Sequence, residues 1–238
     1  MRFRRRPAER SADRRVVWQA ASLLLAYPDD AFPNRLELVA AAVADLPGRS
    51  GELLRDCARR LSALDPVDAA VAYVDTFDWR RRRTLFLTYY TAGDTRGRGV
   101  ALLEFATAYR AAGVTPPAGE LPDHLAVVLE FAATVDEEAG FTLLAAHRSA
   151  VDLLIDGLRK MDSPYAPLIE AVAATLPAPT EHDLLTARRL AMQGPPAEAV
   201  GLDPYPMAGA PAASGAGARS GPVDLVLGTR IPIGKGSS

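Results

Sequence analysis

The chain has 238 residues, 49% of them hydrophobic and 24% charged, which is room for one large domain or two small ones around a real core. Lys and Arg number 27 against 29 Asp and Glu, a formal net charge of -2 that gives no whole-chain attraction for nucleic acid. A single cysteine, Cys57, excludes an internal disulfide framework and any multi-cysteine metal site within one chain, and suits a reducing compartment.

The chain opens on MRFRRRPAERSADRR, similar to the basic start of a secretion signal but followed by no uninterrupted apolar run. Residues 1–11 therefore read as a basic flexible arm, with a weak contact to an acidic partner or lipid surface as the alternative. The apolar stretch from Val16 to Tyr27 is broken by Gln19 and Ser22 and stopped by Pro28. A membrane span needs about 20 continuous apolar residues, so stable membrane insertion is not expected.

From residue 12 the pattern is helical. Val16, Val17, Ala20, Leu23, Leu24 and Tyr27 recur at three- and four-residue spacing, predicting a helix over Ala12–Tyr27. A second starts near Pro33 and ends at Pro47-Gly48, with Leu36, Val39, Val43 and Leu46 inward. Ser50 is placed to cap a third, carrying Leu53, Leu54, Cys57, Leu61 and Leu64. Asp65-Pro66 reads as cap and first turn of a fourth, buried through Val67, Val71, Val74 and Phe77.

Thr84–Ala92 is apolar and aromatic, and by propensity alone it suits a strand. With helical neighbours and no second strand to pair with, helix is the better reading. AGDTRGRG (Ala92–Gly99) reads as a loop, since its glycines match neither phosphate-loop nor dinucleotide spacing. Val100–Ala112 follows as a helix with Leu103, Ala106 and Tyr109 inward and Gly113 as its stop. After a loop at 115–119, Leu121–Glu138 and Phe141–Met161 read as two antiparallel helices hinged at Gly140. Pro164–Leu176 and Thr180–Gln193 complete a set of nine or ten helices, the last opened by a capping-box pattern of Thr180 and Asp183.

From Gly194 onward the last 45 residues hold nine Gly and seven Pro, the composition of a disordered tail. Within it Val223, Leu225, Val226, Leu227, Ile231 and Ile233 form an apolar cluster, either a sticky patch or a segment that docks onto this chain or a partner. The fold class is all-α, with one helical domain over 12–193 and a tail over 194–238.

Signals for chemistry are sparse. His124, His147 and His182 lie in different segments, without metal-ligand spacing. Cys57 falls on the apolar stripe of its helix and reads as a small buried hydrophobe. Arg80–Arg83 is either a solvated link or a basic patch for an acidic partner. The most distinctive motif is Leu121-Pro122-Asp123-His124-Leu125: Pro122 suits a first helical turn, Asp123 the positive end of that helix, and His124 a group that titrates near neutrality. A capping Asp beside a packed His explains it without chemistry, and an acid–base pair has no nucleophile alongside.

Two blocks carry a resemblance: YVDTFDWRRRRTLFLTYYTAGDTRGRGVALLEF (Tyr73–Phe105) and ELPDHLAVVLEFAA (Glu120–Ala133). With the earlier LLLAYPDD segment they resemble the NarJ family, delta-subunit assembly chaperones of respiratory nitrate reductase within the wider TorD-like redox-enzyme maturation family. The likeness runs over roughly Trp18–Gln193, and Pro122-Asp123-His124 is similar to the wider family's signature. It implies an all-helical chaperone without catalytic activity. Such a protein binds the apo alpha subunit, including its N-terminal segment, and assists insertion of the molybdenum bis(guanine dinucleotide) cofactor. It also delays docking onto the membrane subunit. The cofactor belongs to the client, none is bound stably by the chaperone, and the location is cytoplasmic. No nucleic acid partner is implied; exchange of elements about a hinge such as Gly140 is the route to a homodimer.

The residues expected to meet the client are Tyr89, Tyr90, Pro122, Asp123, His124 and Leu125. The tyrosines offer apolar area with a polar tip, while Phe86 reads as core. Asp123 and His124 are carried over from the family signature. The alternatives are a TorD-like chaperone for another molybdoenzyme, or a small helical enzyme using Asp123 and His124.

Overall fold

Two segments are buried on every side, and they form the centre of the molecule. In α1 (Pro7–Leu25), Val17, Trp18, Ala20, Ala21, Leu23, Leu24 and Leu25 are all buried. In α7 (Leu125–Thr134) every residue from Leu125 to Ala133 is buried. The buried second half of α1 and the whole apolar run of α7 belong inside, and the two helices pack against one another. Polar ties set their register: Gln19 donates to Glu130 at 2.5 Å, the Ser22 hydroxyl to the Ala126 carbonyl at 2.9 Å, and Arg15 to the Ala133 carbonyl at 2.6 Å.

The computed structural model describes residues 7–78, 83–93, 96–194 and the pair Val223–Asp224. Around the central pair lie α2 (Phe32–Val43), α3 (Gly48–Ser62), α4 (Pro66–Phe77), α5 (Leu87–Ala92) and α6 (Arg96–Ala111), then α8 (Glu137–Ala146), α9 (Arg148–Arg159), α10 (Ala166–Ala173) and α11 (Glu181–Gln193). The all-α reading holds, with eleven helices among the described residues rather than nine or ten. The one sheet among them is a parallel pairing of β1 (Val114–Thr115) with β2 (Val223–Asp224). No helix among the described residues is long and apolar enough to cross a membrane.

Several local signals act as expected. Asp65 caps α4 by accepting from the Asp68 amide at 2.9 Å, and Thr180 and Asp183 form the reciprocal capping box of α11. Gly113, at φ +78°, follows the end of α6. Cys57 is fully buried, and burial pushes its thiol well above the ordinary range.

Other expectations are corrected. α1 begins at Pro7, inside the expected arm; residues 1–6 lie outside the described ones. α3 begins at Gly48, and Ser50 instead donates to the Ala171 carbonyl at 3.2 Å. On α4 Phe77 faces inward as expected, but in company with Ala69, Tyr73 and Thr76, while Val67 and Val71 are exposed, because Tyr73 and Phe77 join an aromatic cluster with Tyr165. Leu103 is exposed on α6, whose inward residues are Phe105 and Tyr109. Gly97 and Gly99 lie in the first turn of α6, not in a loop.

The two long helices expected over 121–161 are three. Asp136 starts α8 by accepting from the Ala139 amide at 2.9 Å, and His147 ends α8 and precedes α9. Gly140 is not a hinge: it lies within α8 against Ala132, where an added Cβ would come 2.3 Å from the Ala132 Cβ. The glycine allows α8 to fold closely back on α7. Apart from Gly194 and Val223–Asp224, the expected disordered tail lies outside the described residues, as do Arg80–Arg82.

Candidate functional site

The distinctive motif at 121–125 and the aromatic stretch at 84–90 meet, although 35 residues separate them. Phe86 is extended, with φ -89° and ψ 109°, and α5 begins only after it. The Leu87 amide donates to the Asp123 carbonyl at 3.1 Å and the Leu125 amide to the Leu85 carbonyl at 2.8 Å. Phe86 and His124 thus face each other across a one-bridge antiparallel pairing. The expected helix over Thr84–Ala92 is corrected: a strand-like start has found a partner, and only Leu87–Ala92 is helical.

The Asp123 side chain completes a clasp. One carboxylate oxygen, Oδ2, accepts from the Thr88 amide at 3.1 Å and from the Thr88 hydroxyl at 2.6 Å. Asp123 therefore caps α5 from a distant part of the chain, satisfying an amide that a helix start leaves unpaired. Arg98 of α6 stands 3.8 Å from the same oxygen, donates to the Thr88 hydroxyl at 3.3 Å, and lies over the rings of Phe86 and Tyr89. The Tyr109 hydroxyl donates to the Pro122 carbonyl at 2.7 Å, and the Tyr90 hydroxyl to the Thr84 carbonyl at 3.0 Å. Asp123 Oδ1 is buried without a hydrogen-bond partner.

His124 sits at the edge of this clasp, half-buried, its ring edge-on to Phe86 at 5.2 Å between centroids. Burial lowers its pKa below the ordinary 6.5, against the nearby carboxylates of Glu120 and Asp123, which favour protonation. His124 is not inside a helix with Pro122 and Asp123 in its first turn, as the motif suggested; it is the extended residue immediately before α7.

Of the six expected site residues, Asp123 and Leu125 have no exposed surface, and Tyr89 and Tyr90 are 8% and 6% exposed. Pro122 and His124 reach the surface in part, with half-buried Phe86 and exposed Leu121 beside them. Thr88 and Arg98 were not singled out from sequence, although a buried Asp requires donors and Arg98 lies in the glycine-rich stretch nearby. A general base must reach the proton it takes. Asp123, sealed and committed to Thr88, does not face solvent. Among the described residues no three His, Cys, Asp or Glu side chains are grouped to hold a metal ion.

Arg83, from the arginine run, donates to the carbonyls of Thr76 and Asp75 at 2.9 Å each and so closes the end of α4.

These features define an all-α domain built on two buried helices, with a clasp as its most elaborate polar structure. The sequence profile of the nitrate reductase delta subunit matches residues 44–171, including both halves of the clasp, and the chain belongs to that family. It is 33% identical over 167 residues to the probable nitrate reductase molybdenum cofactor assembly chaperone NarJ of Bacillus subtilis, covering 70% of this chain and 91% of that protein. Against the Escherichia coli chaperone NarJ it is 32% identical over 152 residues, 63% of this chain and 64% of that one. It is also 49% identical over 160 residues to the nitrate reductase-like protein NarX of Mycobacterium tuberculosis, 67% of this chain but 24% of NarX. The chain thus spans about a quarter of the length of NarX.

Proposed function

We propose that the chain is an assembly chaperone for nitrate reductase. It binds the catalytic alpha subunit while that subunit is still apo, including its N-terminal segment, assists insertion of the molybdenum cofactor, and delays membrane docking until maturation is complete. It acts in the cytoplasm, and the molybdenum bis(guanine dinucleotide) belongs to the client. The observation that carries the reading is the match to the B. subtilis chaperone across 91% of that protein's length.

The surface proposed to meet the client is the rim above the clasp, formed by Phe86, Leu121, Pro122 and His124. An amphipathic segment needs apolar area with a polar edge, which these side chains supply. Asp123, Tyr89, Tyr90 and Leu125 then act beneath that rim, holding its two strands together. The alternative of a small enzyme using Asp123 and His124 is disfavoured by the burial of Asp123. A TorD-like chaperone for another molybdoenzyme differs only in the client.

The test is a pull-down of the tagged chain from cells grown anaerobically with nitrate. Recovery of an apo molybdenum subunit supports the reading, and a different apo molybdoenzyme redirects it. Recovery of nothing, from cells shown to make the nitrate reductase alpha subunit, overturns it.

A further inference from the structure

A groove of about 500 Å³ runs between α6 and α8 and shares no lining residue with the clasp rim. Ala108, Ala139 and Leu143 give it an apolar lining, and Glu104, Asp136 and Glu138 supply three carboxylates with no lysine or arginine among the lining residues. Val100 and Leu103, both more than half exposed, continue the apolar surface along α6 on the side that carries Glu104 and Thr107.

The start of α1 lies next to this groove. Ser11 and Arg14 both bond the carboxylate of Glu137, the residue between Asp136 and Glu138. Pro7, where α1 begins, is one helical turn before Ser11. Residues 1–6, MRFRRR, put four cations (Arg2, Arg4, Arg5 and Arg6) around one aromatic side chain, Phe3. Extended, six residues reach about 20 Å, enough to turn over the start of α8 and run along the groove.

We propose that this groove is occupied in cis by residues 1–6 of the same chain, with Phe3 against the apolar lining and the arginines against Glu104, Asp136 and Glu138. Exposed ion pairs are individually weak, so the seat depends on several acting together with the apolar anchor. One Asp136 oxygen already accepts from the Ala139 amide, so Glu104 and Glu138 carry most of the attraction. Any other basic segment offered to the groove competes with an arm tethered beside it.

The full chain carrying Arg4→Cys takes a nitroxide label at that position, because the native Cys57 is buried. The proposal predicts loss of amide NMR intensity at Thr107, Ala108, Ala139 and Thr142. The intensity returns at about 1 M salt, where charges are screened beyond about 3 Å, and in a labelled variant carrying Glu104→Gln and Glu138→Gln. Unbroadened groove amides at low salt overturn it and leave the groove to a partner. So does broadening that appears only between molecules, in a mixture of spin-labelled and isotope-labelled chains, which would make the occupant a second copy. Broadening that survives both salt and the double substitution overturns the charge argument on which the assignment rests.

Discussion

Asp123 holds Thr88 by both its amide and its hydroxyl, through one carboxylate oxygen, across 35 residues of chain. That relationship makes the Pro122-Asp123-His124 motif a structural closure, with Pro122 and His124 partly exposed at its outer edge. Asp123→Ala leaves the Thr88 amide and the Thr88 hydroxyl without this acceptor and removes the carboxylate that stands 3.8 Å from Arg98. The expected cost is about 3 kcal/mol, the range for buried donors deprived of a charged partner. Asp123→Asn keeps an acceptor and is expected to cost about 1 kcal/mol. Urea unfolding followed by circular dichroism measures both, and equal, negligible losses would show that the clasp is not structural.

His124→Ala, by contrast, removes an edge contact with Phe86, worth about 1 kcal/mol, and leaves the Asp123–Thr88 bonds in place. It is expected to keep the helical spectrum while weakening binding of a peptide copied from the alpha subunit's N-terminus. Calorimetric titration of wild type and variant with that peptide decides it; unchanged affinity places the client surface elsewhere.

The lowered pKa of His124 also fixes a pH dependence. Its folded pKa lies below the unfolded 6.5, so the unfolded chain takes up the proton first as the solution is acidified. Stability from this group is therefore complete above pH 6.5 and falls as pH drops below it, by at most about 1.4 kcal/mol per pH unit. The carboxylates of Glu120 and Asp123 oppose the burial effect and narrow the window. Unfolding free energies of wild type and His124→Gln between pH 5 and 8 are expected to converge on the acid side, and parallel curves would contradict the assignment.

Gly140→Ala separates packing from hinge. In an unconstrained helix the change gains about 1 kcal/mol from propensity. Against Ala132, with Cβ atoms at 2.3 Å, overpacking costs about 1–3 kcal/mol and dominates. Thermal melts should show net destabilisation, largely rescued by Ala132→Gly in the double variant. A simple gain in stability would return Gly140 to an unpacked role.

Thr180→Ala removes the capping box of α11, a change worth about 1 kcal/mol. This helix buries Leu190 and little else, so the loss is local. Hydrogen exchange should quicken across α11 amides while the global melting temperature barely moves.

What could be read from the sequence was local. The capping box needs only Thr180 and Asp183, three residues apart, and the α4 cap only Asp65 and Asp68. What could not be read depended on remote partners. Both faces of α4 are apolar, so spacing alone did not say that Tyr73 and Phe77, drawn toward Tyr165, would turn Val67 and Val71 outward. Thr84–Phe86 looked partnerless as a strand because its partner is a single bridge at His124. Asp123, Tyr89 and Tyr90 have the side chains of a binding site, but the fold uses them internally. Asp123 and Tyr90 bond within the fold, and Tyr89 packs under Arg98.

The most direct test of the chaperone reading is the molybdenum content of nitrate reductase purified from cells with and without this chain. The account predicts alpha subunit made in both, strongly depleted in molybdenum without the chain and restored when the full chain is supplied again. Equal molybdenum per alpha subunit in the two preparations would contradict it.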